Sequence, residues 1–198
     1  MNTNKLFLVD NVCYYKKMPS EKLYKIIYSK DVLKYGKVAD SKKFIHETNS
    51  LLSKKKLINI FVNQNLSIII NDNYTKEDIN TLKDCLEKLN FKIVNTQKES
   101  EVLNLEKYDY ISFNKEYICL YYNNIYKEPT LKFIEKNFFL NERDLIKYIK
   151  SVLNTKKDII IYGNNCKEEY CEKVSSKSHV FMTENPETYI LLVNTNWT

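Results

Sequence analysis

A pattern of mostly apolar residues occurs twice in this chain, with the second copy 101 positions after the first. Both copies have the spacing of one face of a helix. Each follows a polar residue suited to begin a helix, Ser41 after Asp40 in the first copy and Asn141 in the second. The repeated residues are Phe44, Ile45, Thr48, Leu51 and Leu52, and then Leu145, Ile146, Ile149, Val152 and Leu153. The chain is therefore predicted to contain one folding unit twice, over residues 1–105 and 106–198.

The elements around the repeated helix also keep the same order: three strands, a helix, a strand, a helix and a strand. Apolar alternation and helix-start signals predict this order. In the first copy the predicted strands are 5–10, 12–16, 23–29, 66–71 and 91–95, the helices are 40–53 and 75–90, and 57–62 is a further apolar run. In the second copy the strands are 108–113, 117–122, 129–134, 158–162 and 179–183, the helices are 141–153 and 167–174, and a last helix begins at Asn185-Pro186. A short helix over 97–105 is predicted to connect the copies.

The composition restricts the chemistry of the chain. It contains only two glycines, Gly36 and Gly163, so it can build almost no glycine-rich loop around a phosphate. The net charge of +6 comes from lysine, and Arg143 is the single arginine. Because arginine is the residue that best binds phosphate through two hydrogen bonds, a solvated lysine surface is favoured over nucleic-acid binding.

The cysteines and the hydropathy pattern indicate a protein of the reducing cytosol. The five cysteines lack the spacing of a metal site, and Cys85 and Cys119 fall in apolar stripes, which predicts small core residues. Cys166 and Cys171 lie five positions apart without a nearby histidine. No run approaches the roughly 18 apolar residues of a membrane span. A cytoplasmic protein without a metal or cofactor is expected, neither exported nor membrane-spanning.

Four short motifs follow one another in an order that is informative. They are the run 35–40 followed by Phe44, the run 68–75 followed by Leu82 and Leu89-Asn90-Phe91, the run 159–163, and Asn185-Pro186-Glu187. With the element order, they resemble the actin-like ATPase superfamily, which includes actins, sugar kinases and heat-shock chaperone ATPases. The resemblance implies an α/β protein in which two tandem RNase H-like lobes of order βββαβαβ form a minimal actin-like fold.

The chain departs from this family where the resemblance places the nucleotide. The first phosphate loop would lie at Asp10, but a β-branched residue, Val12, replaces its glycine. The second would follow Asp109, and the run to Asn114 contains no glycine. At the adenosine loop Gly163 remains, followed by Asn164. Val12 and Phe113 are expected to place side chains in the path of the phosphates, so nucleotide hydrolysis is expected to be lost.

Two other interpretations of the acidic residues stay open. Asp10 and Asp109 are interpreted as occupying corresponding places in the two copies, where they could bind Mg²⁺ in an active ATPase or phosphotransferase. They could equally be a turn aspartate and a strand-edge aspartate. An RNase H-like nuclease could use them with Asp72 and Glu99, although no spacing singles out these four. His46 and His179 lack a nucleophile or ligand partner.

The expected function is that of a non-catalytic scaffold. Relatives with degenerate nucleotide sites include the cytoplasmic assembly-platform proteins of type IV pilus and type II secretion systems. By that resemblance the partner would be the short cytoplasmic tail of an inner-membrane protein, bound in an extended form by strand addition. Paired tyrosines in the strands, such as Tyr14-Tyr15 and Tyr121-Tyr122, offer a peptide-docking surface. The protein would then lie in the cytoplasm, peripherally at the inner face of the membrane.

Overall fold

The computed structural model describes residues 3–20, 22–54, 64–103, 105–153, 157–163, 174 and, for the backbone, 180–182. The chain divides into two units, Met1–Glu99 and Ser100–Thr198. The run 57–62, the helix predicted over 167–174 except its last residue, the step at Asn185-Pro186, and the residues Cys166, Cys171 and His179 lie outside the described residues. None of the helices in the described ranges is both long and apolar enough to span a membrane.

The first unit is built on a sheet of five strands. In chain order these are β1 (Asn4–Val9), β2 (Val12–Lys17), β3 (Lys22–Ile27), β6 (Gln64–Ile70) and β7 (Phe91–Lys98). Their order across the sheet is β3-β2-β1-β6-β7. The first three strands form antiparallel pairs, and β1, β6 and β7 are parallel. Two helices belong to this unit, α1 (Ser41–Lys54) and α2 (Lys76–Glu87), and a small hairpin of β4 (Leu33–Lys34) and β5 (Lys37–Val38) precedes α1.

The second unit repeats this sheet strand for strand. Its strands are β8 (Tyr108–Phe113), β9 (Tyr117–Asn123), β10 (Pro129–Glu135), β11 (Asp158–Tyr162) and β12 (Val180–Met182), arranged as β10-β9-β8-β11-β12. Again the first three strands, β8, β9 and β10, form antiparallel pairs, and β8, β11 and β12 are parallel. A short α3 (Glu99–Val102) precedes β8, and α4 (Glu142–Val152) follows β10. The predicted α/β fold class is confirmed.

The repeated helix buries the face that the sequence pattern predicts. Phe44, Thr48 and Leu52 are the buried residues of α1, and Leu145 and Ile149 hold the matching positions on α4. In each unit these residues join one apolar core with the strands. Removing such side chains from water is the largest favourable contribution to folding. The repeat therefore exists because two sheets each need one amphipathic helix to cover a face.

The caps predicted for α2 and α4 are present. Thr75 caps α2 in a capping box, because its hydroxyl accepts a hydrogen bond from the N–H of Asp78 and the Asp78 carboxylate accepts one from the N–H of Thr75. Asn141 caps α4 by accepting a hydrogen bond from the N–H of Asp144. These bonds satisfy N–H groups that the first turn of a helix leaves without a partner.

One prediction about the connection between the units is wrong. The helix expected over 97–105 is only the single turn of α3, because β7 continues to Lys98. Pairing with β6 extends β7, from Gln64 opposite Phe91 to Ile70 opposite Lys98, with a register shift after Leu66. The backbone hydrogen bonds of a parallel ladder outweigh the weak helix preference of four residues.

The β4–β5 hairpin is joined to α2 by a cluster of polar contacts. The Lys37 ammonium lies 2.7 Å from the Asp78 carboxylate and over the ring of Tyr74. The Tyr74 hydroxyl donates a hydrogen bond to the carbonyl of Gly36. Burial by itself raises the pKa of Asp78, but the bonds from Lys37 and Thr75 outweigh it, so the pKa is lowered. Asp78 thus serves both the helix cap and the hairpin.

We predict that Asp78→Asn lowers the free energy of unfolding at pH 7 by about 1 kcal/mol, because the cap and the ion pair both weaken. Because the pKa of Asp78 is lower in the folded state, its contribution is present above the unfolded pKa of about 3.9 and is lost as pH falls through the folded pKa. Urea unfolding at several pH values measures this. The difference from wild type should shrink below about pH 4, and a difference that stays constant across pH would contradict the ionic role. Asp84→Asn, on the exposed part of the same helix, is the matched control.

Candidate functional site

The carboxyl end of the parallel strands is where open α/β sheets bind ligands. In the first unit this end carries the turn between β1 and β2. Val9 pairs with Val12, so Asp10 and Asn11 alone form the turn. Asp10 is buried and has φ 55, a conformation that aspartate tolerates better than most residues. The carbonyl of Asn11 accepts a hydrogen bond from the N–H of Tyr28 at 2.9 Å. Val12 is buried as a strand residue.

The corresponding turn of the second unit joins β8 and β9. Its last paired strand residues are Phe113 and Ile118, and the N–H of Asn114 donates to the carbonyl of Tyr117 at 3.0 Å. Lys115 and Glu116 form the tip of the turn. Asn114 is fully buried, and its amide group donates to the Ser112 hydroxyl at 2.9 Å. This turn is also closed by main-chain pairing.

The two turns define which residues correspond between the units. Val9 is the last paired residue before the tip of the first turn, and Asn114 is the last before the tip of the second. Leu8 and Phe113 therefore occupy matching positions, and each is buried in the apolar core of its own unit. Counting from these residues, Asp10 corresponds to Lys115, and Asp109 corresponds to Asn4. The interpretation of Asp10 and Asp109 as counterparts is therefore wrong. Acidity alone does not show at which end of its strand a residue lies, whereas the positions of the two hairpin turns do.

Phe113 and Asp109 also differ from the expectations in their surroundings. Phe113 lies in the core of the second unit with Ile111 and Ile149, so its side chain does not extend beyond the turn. Asp109 lies on the central strand β8, between β9 and β11, and is fully buried, so it is not a strand-edge residue. It lies at the amino end of its strand, whereas Asp10 follows the carboxyl end of β1.

A buried polar cluster surrounds Asp109. The Lys157 ammonium lies 3.8 Å from the Asp109 carboxylate and donates to the carbonyl of Leu105 at 2.6 Å. Asn123 donates to the same carbonyl at 2.8 Å. The sequence patterns did not predict a role for Lys157. One signal could have indicated it: Lys157 directly precedes β11, and β11 pairs with β8, the strand that carries Asp109. The cluster ties the segment before β8 to β9 and to the start of β11.

Gly163 has a structural reason to be glycine. Its φ is +118, and a Cβ at this position would lie 2.2 Å from the carbonyl oxygen of Phe113. No other residue type fits, because both the backbone conformation and the contact with neighbouring main chain exclude a side chain. Gly163 thus allows the end of β11 to approach β8. Asn164 lies outside the described residues.

The thiols and acids of the described residues offer little reactivity. Cys13, Cys85 and Cys119 are buried free thiols, which confirms the core role predicted for the last two. Burial raises the pKa of Cys13 to about 12, so it is protonated at neutral pH. Within the described ranges, no three of the His, Cys, Asp and Glu side chains are grouped closely enough to hold a metal ion. Asp10, Asp72, Asp109 and Glu99 are not such a group.

Comparison with solved structures places the fold. A crystal structure of the ethanolamine utilization protein EutJ from Carboxydothermus hydrogenoformans matches with a TM-score of 0.66 and 10% identity, covering 98% of this chain and 88% of that one. MreB 5 of Spiroplasma citri bound to AMPPNP matches with a TM-score of 0.59 and 9% identity, covering 98% and 95%. An actin-like ATPase-fold protein of unknown function from Bacteroides thetaiotaomicron matches with a TM-score of 0.53 and 10% identity, covering 96% and 95%. No family model and no curated protein matches. The chain therefore has the actin-like ATPase fold.

We predict that Gly163→Ala lowers the free energy of unfolding by more than about 2 kcal/mol, since the new methyl group must displace main chain in a conformation unfavourable for alanine. Chemical denaturation of the purified chain measures this. Ser53→Ala, at the exposed end of α1, is a control expected to change stability by less than about 0.5 kcal/mol. Equal effects of the two substitutions would contradict the close approach of β11 to β8.

We predict that Lys157→Met destabilises the chain by about 2 kcal/mol, because it leaves the buried Asp109 carboxylate without its ammonium partner. Adding Asp109→Asn should restore at least half of the loss, since an amide costs less to bury than a charge. A double-mutant cycle by urea unfolding measures the coupling. Lys147→Met, on the exposed face of α4, is the control. Additive effects of Lys157→Met and Asp109→Asn would contradict an ion pair between Lys157 and the buried Asp109.

Proposed function

We propose that this protein is a non-catalytic scaffold of actin-like fold that binds a partner protein. The similarity to EutJ, MreB 5 and the Bacteroides protein supports the fold on which this rests. At about 10% identity the similarity carries the fold alone, and one fold serves many functions. The support for a particular function therefore comes from the two hairpin turns.

The observation that carries the proposal is the construction of these turns. A phosphate cradle needs several consecutive N–H groups aimed into one concavity, in conformations that glycine reaches most easily. Here each turn has a two-residue tip without glycine, Asp10-Asn11 and Lys115-Glu116. The N–H of Asn114 is already bonded to Tyr117. The residues present therefore fit a triphosphate and its metal poorly, which supports a role without hydrolysis.

The partner in this proposal is the short cytoplasmic tail of a membrane-anchored protein. The analogy is with the pseudo-actins of type IV pilus and type II secretion platforms, in which an actin-like body holds such a tail. In this proposal the chain lies in the cytoplasm at the inner face of the membrane. An extended tail would bind through main-chain hydrogen bonds to a free strand edge, with side-chain contacts providing specificity.

The second candidate is an active actin-like ATPase. It is favoured by one observation, that the similar MreB 5 was crystallised with AMPPNP and with ADP. Asp10 would be its metal-binding acid, because it is buried at the carboxyl end of β1. Asp109 would have no part in it, since it lies at the amino end of β8.

We predict that Mg-ATP, Mg-ADP and Mg-AMPPNP leave the unfolding temperature unchanged and that ATP turnover does not exceed the blank. A nucleotide present at about 100 times its Kd stabilises a protein by about 2.7 kcal/mol, which would shift the unfolding temperature by several degrees. Thermal unfolding with millimolar nucleotide and a phosphate-release assay measure both.

A nucleotide shift of several degrees that Asp10→Asn abolishes would overturn the scaffold proposal in favour of the ATPase. The matched control is Asp31→Asn, because Asp31 is an exposed aspartate of the same unit that also has positive φ, 68. Both substitutions remove one charge at a left-handed position, so only a specific role of Asp10 distinguishes them.

A further inference from the structure

The net positive charge of this chain arises within residues 1–54. Residues 1–54 contain eleven lysines and no arginine against five acidic residues, so they carry the whole formal net charge of +6. The remaining residues have equal numbers of basic and acidic side chains. The basic segment forms β1 to β5 and α1 of the first unit. A negatively charged partner would therefore be attracted to this part of the chain.

The outermost strand of this basic segment is β3. It is the last strand on its side of the first sheet, and within the described ranges no strand pairs with its outer side. The register with β2 shows which main-chain groups face outward. Tyr28 donates to the carbonyl of Asn11, and bonded and non-bonded residues alternate along an antiparallel pair. The peptide groups of Leu23 and Ile27 therefore point away from β2, toward the open edge.

The side chains along this edge combine charge with one exposed apolar group. Ile27 is 62% exposed, although it lies on a strand whose neighbours Ile26 and Tyr28 are buried. Lys22 is exposed and its ammonium lies over the ring of Tyr24, at 5.5 Å from the ring centre. A cation–ring contact at an exposed site is weakly attractive, which favours this position of the ammonium. The edge thus presents outward peptide groups along its length, with an ammonium at one end of β3 and an aliphatic side chain at the other end, on the opposite face of the sheet.

We propose that the outer edge of β3 binds an extended acidic peptide segment by strand addition, with an aliphatic residue of the segment placed against Ile27. This inference rests on the proposed function, since it names the chemistry of the partner and the strand that receives it. Main-chain bonds to Leu23 and Ile27 supply the register, and the lysines around the edge attract acidic side chains of the segment.

Charge decides between the possible occupants of this edge. A second copy of the chain pairing through β3 would bring Lys22 and its neighbours against lysines of the same strand, and like charges across a strand pair are destabilising. Lysines on a free edge also prevent such pairing in general. The phosphates of a nucleic acid could accept hydrogen bonds from the outward N–H groups but could not donate to the outward carbonyl groups, and the single arginine, Arg143, lies in the other unit. An acidic peptide satisfies both the charge and the open peptide groups.

The test uses the isotope-labelled full chain and a synthetic peptide of about ten residues, the upper length of common strands, in which Asp or Glu alternates with Val or Ile. Backbone amide shifts during the titration locate the binding site and give Kd. The expected result is shift changes centred on Lys22–Tyr28, and weaker binding at higher salt. Shift changes centred on another strand, or equal binding of a peptide with Lys in place of each acid, would overturn the proposal.

Two variants separate the main-chain and charge contributions. Ile27→Pro removes an outward N–H without removing a bond to β2, since proline is tolerated on the free side of an edge strand. It is expected to raise Kd by about tenfold, equivalent to 1.4 kcal/mol. Lys22→Glu is expected to raise Kd by at least roughly threefold, whereas Lys147→Glu, the same charge change on exposed α4, should leave it within about twofold. Equal effects of the two lysine substitutions would overturn the proposal even if Ile27→Pro failed to fold.

The outcomes also distinguish this inference from the proposed function. Peptide binding at another strand would overturn the role of β3 and leave the scaffold intact. Nucleotide stabilisation would overturn the scaffold whatever the peptide does. A single-stranded oligonucleotide that displaces the peptide and binds more tightly would overturn the peptide in favour of a nucleic acid.

Discussion

The pairing of a hairpin strand with a parallel buried strand is the constraint on which both units depend. β1 pairs with β2 on one side and β6 on the other, and β8 does the same with β9 and β11. Both central strands are buried along nearly their whole length. A strand in this position cannot slip by one residue without turning its core side chains to the opposite face. Its register therefore fixes which residues reach each end of the sheet.

That register explains why the two aspartates have unrelated roles. Asp10 occupies a turn beyond the carboxyl end of β1, and Asp109 is enclosed at the amino end of β8 beside Lys157. A short motif matched by acidity alone does not show at which end of a strand the acid lies, whereas strand pairing fixes that position. Pairing of β8 with β11 also leaves Phe113 in a core and brings Gly163 into close contact with the Phe113 main chain. The residues that resemble a nucleotide site thus have structural explanations within their own unit.

The two units share a plan but differ in charge. The first carries the net charge of the chain in its first 54 residues and leaves β3 open at the edge, with Ile27 exposed. An internal repeat gives each copy the same core, because the core is what the fold requires. The surfaces are not constrained in this way, so they can diverge. A scaffold that binds one partner with one lobe is consistent with this asymmetry, and the edge of β3 is where charge and open main chain coincide.

Much of the architecture was determined by the sequence alone. The repeated stripe from Phe44 to Leu52 and from Leu145 to Leu153 predicted α1 and α4, and Thr75 and Asn141 predicted the starts of α2 and α4, because periodicity and caps are local properties. The length of β7, the small hairpin at Gly36 and the partner of Asp109 were decided only by tertiary structure. Each depends on a neighbouring strand or helix that is distant in sequence: β6 extends β7, α2 holds the hairpin, and Lys157 lies 48 positions from Asp109. Local patterns carry no information about such contacts, since these form only when the sheet brings remote segments together.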